Sequence, residues 1–178
     1  NFVYVGLEVL CPPLAQLFEL RPLLGLRTPA NSLARALNPL EAPCQIQGVF
    51  HPPYRALHQA TGLLLGQRAA AIFKGGGGEA QRNPDKPCRV ALIQAGAGSE
   101  EEWPALPDGP GFRPREEPAE VHRLLGLWRG SLDHPAAVAA ITGTLAVALK
   151  LLGRAGDQAA AQAEAERLCQ ERWRRRFG

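Results

Sequence analysis

Methionine is absent from all 178 residues. With no initiator, and with residue 1 already reading as part of a strand, the chain is expected to be a piece of something longer. Cysteine is sparse. Cys11, Cys44, Cys88 and Cys169 lie far apart, form no CxxC pair and have no histidine at ligand spacing, which argues against a disulfide framework or a zinc site. No apolar run approaches the roughly 20 residues that cross a bilayer; the most apolar stretch, Ala136 to Leu152, carries Thr142, Thr144 and Lys150 and reads as a buried helix. The opening segment lacks the charged start of a signal peptide. No membrane association is therefore expected, and the cytoplasm is the default compartment. A net charge of +3 is too small to mark a nucleic-acid binder by itself. There is no internal repeat.

What is present is a hydrophobic fraction of 46%, enough to build a buried core in one domain, or in a large domain with a small appendage. Phe2 to Val5 has strand composition. Pro12-Pro13 suits a helix start, Pro22 a kink or end, and Gly25 a C-terminal stop. Thr28-Pro29 suits a cap followed by the first helical residue, with Leu33, Ala34 and Leu37 on the apolar side of a short helix ending at Asn38-Pro39. Gln45 to Phe50 alternates as a strand, Tyr54 to Leu65 repeats as a helix stopped by Gly66, and Arg68 to Phe73 reads as a buried strand. Strand, helix, strand implies a parallel crossover. Cys88 to Gln94 is a further strand, and 95–118 is mostly loop with room for one short strand. Helices are expected over Val121 to Trp128, over Pro135 to Leu152 capped by Ser131 or Asp133, and from Asp157 to about Arg175. Ala161, Ala165, Leu168, Cys169 and Trp173 form the apolar side of the last.

The most specific block is Arg21, Leu24, Gly25, Arg27, Thr28, Asn31, Leu33, Asn38 and Pro39. In residues and spacing it resembles the signature of the anthranilate phosphoribosyltransferase-like family (glycosyltransferase family 3). Gly48-Val49-Phe50-His51-Pro52 resembles that family's Gly-Val-Phe-Asp-Pro, and Thr142 to Leu149 its long closing helix. The resemblance implies an α/β fold of the nucleoside phosphorylase/phosphoribosyltransferase type: a mostly parallel sheet flanked by helices, with part of a small helical domain. Residues 11–40 would belong to the helical domain, and 1–10 and 41–178 to the C-terminal portion of the α/β domain.

The implied reaction transfers phosphoribosyl from phosphoribosyl pyrophosphate to an amine, with magnesium bridging the pyrophosphate, in a protein that is a homodimer when full length. Arg21, Arg27 and Asn31 fall at substrate-binding positions, and no catalytic residue is assigned. The sequence also departs from the family pattern. The family's pyrophosphate loop lies upstream of this stretch, Cys11-Pro12 stands where the acceptor site has His-Pro, and Arg35 replaces an uncharged residue. Of the family's Asp-Glu metal pair only Glu79 remains.

These departures suggest the family's divergent branch, associated with single- or double-stranded nucleic acid. In that reading Arg35, Lys74, Arg82 and Lys86 are the backbone contacts, with Arg89 beside them. Each feature also has a plainer reading. The glycine run 75–78 either brings backbone N–H groups to a phosphate or is a flexible turn, and Glu79 is either a metal ligand or a solvated carboxylate. Arg21, Arg27 and Arg35 either meet an anion or line an exposed helix face. The C-terminal arginines complement a helix end, Cys11 is an inert thiol, and His51, His58, His122 and His134 form no set.

Overall fold

A computed structural model of the chain describes residues 4–26, 28–76, 79–107 and 120–177, with side chains to 171. Two compact units emerge, 1–43 and 44–178. The first holds four short helices, α1 (Leu7–Leu10), α2 (Pro12–Phe18), α3 (Arg21–Leu24) and α4 (Ala30–Ala36). Of the strand expected at 2–5, residues 2 and 3 lie outside the described set, and Tyr4 and Val5 have no regular structure. Gly25 ends α3 in the left-handed region, at φ 67°, as a C-terminal glycine does. Thr28 does not cap α4 with its side chain; instead Asn31 Nδ2 donates to the Thr28 carbonyl at 3.1 Å. Among its described residues the buried apolar side chains are Leu14 and Ala30.

The second unit is a four-stranded sheet between helices. Its strands are β1 (Cys44–Val49), β2 (Ala69–Lys74), β3 (Cys88–Gln94) and β4 (Ala97–Trp103), and its helices are α5 (Tyr54–Leu64), α6 (Val121–Arg129), α7 (Pro135–Leu151) and α8 (Gln158–Phe177). The sheet order is β1-β2-β3-β4. The α/β class expected from the sequence is the class observed, with helices flanking a sheet. Strand direction is more mixed than expected. The α5 crossover makes β1 and β2 parallel, whereas β2–β3 and β3–β4 are antiparallel. The last pair is joined by Ala95 and Gly96 at φ 50° and 77°, a two-residue turn whose twist matches a hairpin.

Alternation along the strands splits the core in two. Ala71, Phe73, Val90, Leu92 and Trp103 face α7 and α8, meeting Ala146, Val147, Leu149, Ala161 and Ala165. Val49, Ala70, Ile72, Ala91 and Ile93 form the opposite side and pack under α5, where Gly62 lies so close to Ile93 that an added Cβ would meet its Cδ1 at 2.6 Å. The cap of α7 is neither Ser131 nor Asp133: His134 Nδ1 accepts from the Ala137 N–H at 3.2 Å. Asp157 caps α8 as expected, accepting from Ala160 N–H at 2.8 Å. Among the described residues no helix is long and apolar enough to cross a membrane.

Candidate functional site

Because β1 and β2 run parallel, their C-terminal ends lie side by side, Val49 opposite Lys74. β3 starts at that same edge, Val90 opposite Phe73. The chain therefore gathers here the link into α5, the end of β2 and the approach to β3, at the edge where parallel strands of α/β sheets open their crevices. A cleft of about 610 Å³ lies there, within the roughly 300–1,000 Å³ range of small-molecule sites. Phe50, His51, Pro52 and Arg55 form one wall, Lys74 to Gly76 a second, Asn83 and Lys86 to Arg89 a third, and Glu102 closes it.

Four cations, Arg55, Lys74, Lys86 and Arg89, thus face one carboxylate. Two of the cations are committed. Arg55 donates from Nη2 and Nε to Glu100 Oε2 at 3.0 and 3.2 Å, and Arg89 Nε donates to Glu102 Oε2 at 3.2 Å. Lys74 and Lys86 are exposed and have no carboxylate partner among the described residues. Buried His58 and Gln47 tie α5 to β1 through Nδ1 and Oε1 at 2.7 Å. Gln47 Nε2 donates to Gln45 Oε1, so the Gln47 oxygen is the one turned to the imidazole, which donates from Nδ1. Cys88 is buried, and burial pushes its thiol up, partly opposed by the Arg82 and Arg55 guanidinium groups. A raised thiol stays protonated near neutrality and is a poor nucleophile.

Of the two readings of the glycine run, the described glycines do not favour amides held open for a phosphate. Gly75 N–H donates to the Val49 carbonyl and Gly76 N–H to the Gln81 carbonyl, both at 3.2 Å, so neither amide is free for a phosphate. What glycine permits is close approach: a Cβ on Gly48 or Gly75 would run into the Glu79 carbonyl. Gly77 and Gly78 lie outside the described residues.

Of the residues singled out from the sequence, Lys74 and Lys86 both line the cleft. Arg82 does not reach the surface: it is 1% exposed, its Nη2 donates to the Pro104 carbonyl and its guanidinium lies 5.4 Å from the Trp103 ring centroid. A nucleic-acid contact is closed to it, and burial lowers its pKa, with the Cys88 charge working the other way. Glu79 is exposed and is not part of the cleft wall. Arg21 is exposed at the start of α3, and Asn31 and half-buried Arg35 lie on α4; Arg27 lies outside the described residues. Sequence reasoning missed Arg55 and Glu102. Arg55 carried a usable signal, since it opens the helix that follows the first parallel strand.

Magnesium, the ion the family resemblance implies, takes hard oxygen ligands, usually one or two carboxylates with the rest from water and phosphate. Glu102, the only carboxylate lining this cleft among the described residues, is engaged by Arg89, and three other cations line the same cleft. Among the described residues no three His, Cys, Asp or Glu side chains converge. The described donor set of this cleft does not fit a divalent cation.

A cation-lined crevice at the ends of a parallel strand pair, set in a sheet between helices, belongs to a mixed α/β fold that is consistent with the phosphoribosyltransferase type. Sequence comparison gives the particular relatives. The chain is 33% identical to an anthranilate phosphoribosyltransferase of Oleidesulfovibrio alaskensis over 135 residues, covering 70% of this chain and 40% of that protein. It is 31% identical to an anthranilate phosphoribosyltransferase of Nitratidesulfovibrio vulgaris, over 53% of this chain and 28% of the relative. An uncharacterized protein of Aquifex aeolicus is 32% identical over 51% and 29%. No family model matches. These matches support the anthranilate phosphoribosyltransferase family as the one to which the chain is related, and the chain spans at most about two fifths of these relatives' length.

Proposed function

We propose that the chain is part of a phosphoribosyltransferase-like protein that transfers phosphoribosyl from phosphoribosyl pyrophosphate to an amine. The observation that carries this reading is the 33% identity to an anthranilate phosphoribosyltransferase over 70% of the chain. The cleft adds a physical reason, because it has the volume of a small-molecule site and an excess of cations suited to a phosphorylated sugar. Arg21, Arg27 and Asn31 are the candidate substrate-binding residues, and the Asn31 amide also donates to the Thr28 carbonyl. The same cleft read as a nucleic-acid groove has less to stand on, since Arg82 is withdrawn into the interior.

The test is release of pyrophosphate from phosphoribosyl pyrophosphate, followed with a panel of aromatic amines, with and without magnesium chloride. Amine-dependent release, with a KM raised in Arg21→Ala and an unchanged melting transition, is expected. Absence of amine-dependent release from folded protein would overturn the proposal.

A further inference from the structure

We infer that Lys74 and Lys86 form a pyrophosphate-binding subsite that works without a divalent cation. The inference rests on the phosphoribosyltransferase-like reading in assigning this cleft a phosphorylated ligand, and it names how the ligand's charge is met. Lys74 at the end of β2 and Lys86 ahead of β3 line one cleft. They are the two wall cations with no carboxylate partner among the described residues. Asn83 stands on the same wall; its Oδ1 accepts from the Asp85 N–H at 2.9 Å, and its Nδ2 has no acceptor among the described residues. The local donor set is therefore two ammonium groups and an amide.

Charge decides which ligand this set takes. Magnesium would enter a cleft lined by four cations and one already paired carboxylate, and like charges repel. A polyphosphate meets the opposite sign on the same wall, and lysine binds phosphate as a point charge that needs no fixed fork geometry. Arg55 and Arg89, held by Glu100 and Glu102, add to the field while remaining fixed. The Gly75 and Gly76 amides are spent within the chain, so among the described residues of the cleft the lysines are the donors that carry charge toward a phosphate.

The experiment is calorimetric titration of the full chain with sodium pyrophosphate in EDTA, and again in magnesium chloride. Binding in EDTA is expected, with no gain from magnesium. Lys74→Ala and Lys86→Ala should each weaken it about ten- to a hundredfold, as expected for loss of a hydrogen bond to a charged group. Lys74→Arg and Lys86→Arg should retain most of the affinity, and Arg154→Ala, an exposed cation outside the cleft, all of it. Thermal melts of each variant separate lost binding from lost folding. Binding that requires magnesium overturns the inference, as does binding indifferent to the double alanine variant. Binding of a single-stranded oligonucleotide in place of pyrophosphate overturns it too. Failure of the transferase reading is separable: amine-dependent turnover can be nil while pyrophosphate still binds in EDTA.

Discussion

Arg82 is the residue whose place in the structure differs most from its place in the sequence. It lies in a basic run with Lys74, Lys86 and Arg89, yet its backbone N–H donates to Thr144 Oγ1 at 2.9 Å. That bond anchors the β2–β3 connection to α7 and draws the side chain inward over Trp103. Gly143, one residue along the helix, makes the space: a Cβ there would meet Arg82 Nη1 at 3.4 Å and Leu106 Cδ1 at 2.9 Å. Nothing in the local sequence distinguishes such a residue from its solvated neighbours, because the deciding contacts are 22 and 62 positions away. Arg82→Ala should destabilise the fold by about 2–4 kcal/mol, combining a cavity with an orphaned Pro104 carbonyl. Arg82→Met should cost less, since it fills the space and removes a desolvated charge. Chemical denaturation gives both values, and pyrophosphate affinity should be unchanged in both. Lost anion binding in a fully folded Arg82→Met variant would return this residue to the surface role the sequence suggests.

At the scale of elements, most helices and the first three strands were legible because each carries its own period or punctuation. Gly66 and Gly25 end α5 and α3 with positive φ, and the Tyr54 to Leu65 repeat falls on α5. β4 was legible only as room for one short strand. Its sequence, Ala-Gly-Ser-Glu-Glu-Glu-Trp, is poor in the β-branched residues that favour strands; the tight turn at Ala95-Gly96 and charges from neighbouring elements place it. Alternation sends Glu100 to Arg55 of α5 and Glu101 to Lys150 of α7, at 2.5 Å. One sheet edge thus clasps helices on both faces, while its three carboxylates discourage strand addition. The Glu101 and Lys150 side chains are 27% and 19% exposed, enough shelter to lift the pair above an ordinary surface bridge. A double-mutant cycle with Glu101→Ala and Lys150→Ala should return a coupling of about 1 kcal/mol favourable. A coupling indistinguishable from zero in urea denaturation would make the edge strand's attachment purely apolar.

For the whole molecule, the two units differ in what holds them. Residues 44–178 carry the layered core of both sheet faces, whereas the described part of 1–43 buries Leu14 and Ala30 and leaves Leu17, Leu20, Leu23, Leu24 and Leu33 exposed. The block that first pointed to a family, Arg21 to Pro39, therefore lies in the unit with the smaller core, and the cleft lies in the unit whose sequence was less distinctive. Family resemblance and candidate site were legible to different degrees for this reason. A signature can be read from residue identities alone, but a cleft depends on which strand ends the topology brings together. Helices of four to seven residues are too short to persist without packing, and local opening is governed by how much apolar contact must be broken. Amide hydrogen exchange should therefore show α1 to α4 exchanging at least about a hundredfold faster than the centres of β2, β3 and α7, a gap of roughly 3 kcal/mol in opening free energy. Limited proteolysis should cut within 1–43 before it cuts the sheet. Equal protection of α2 and β3 would show that the first unit opens only when the whole chain does.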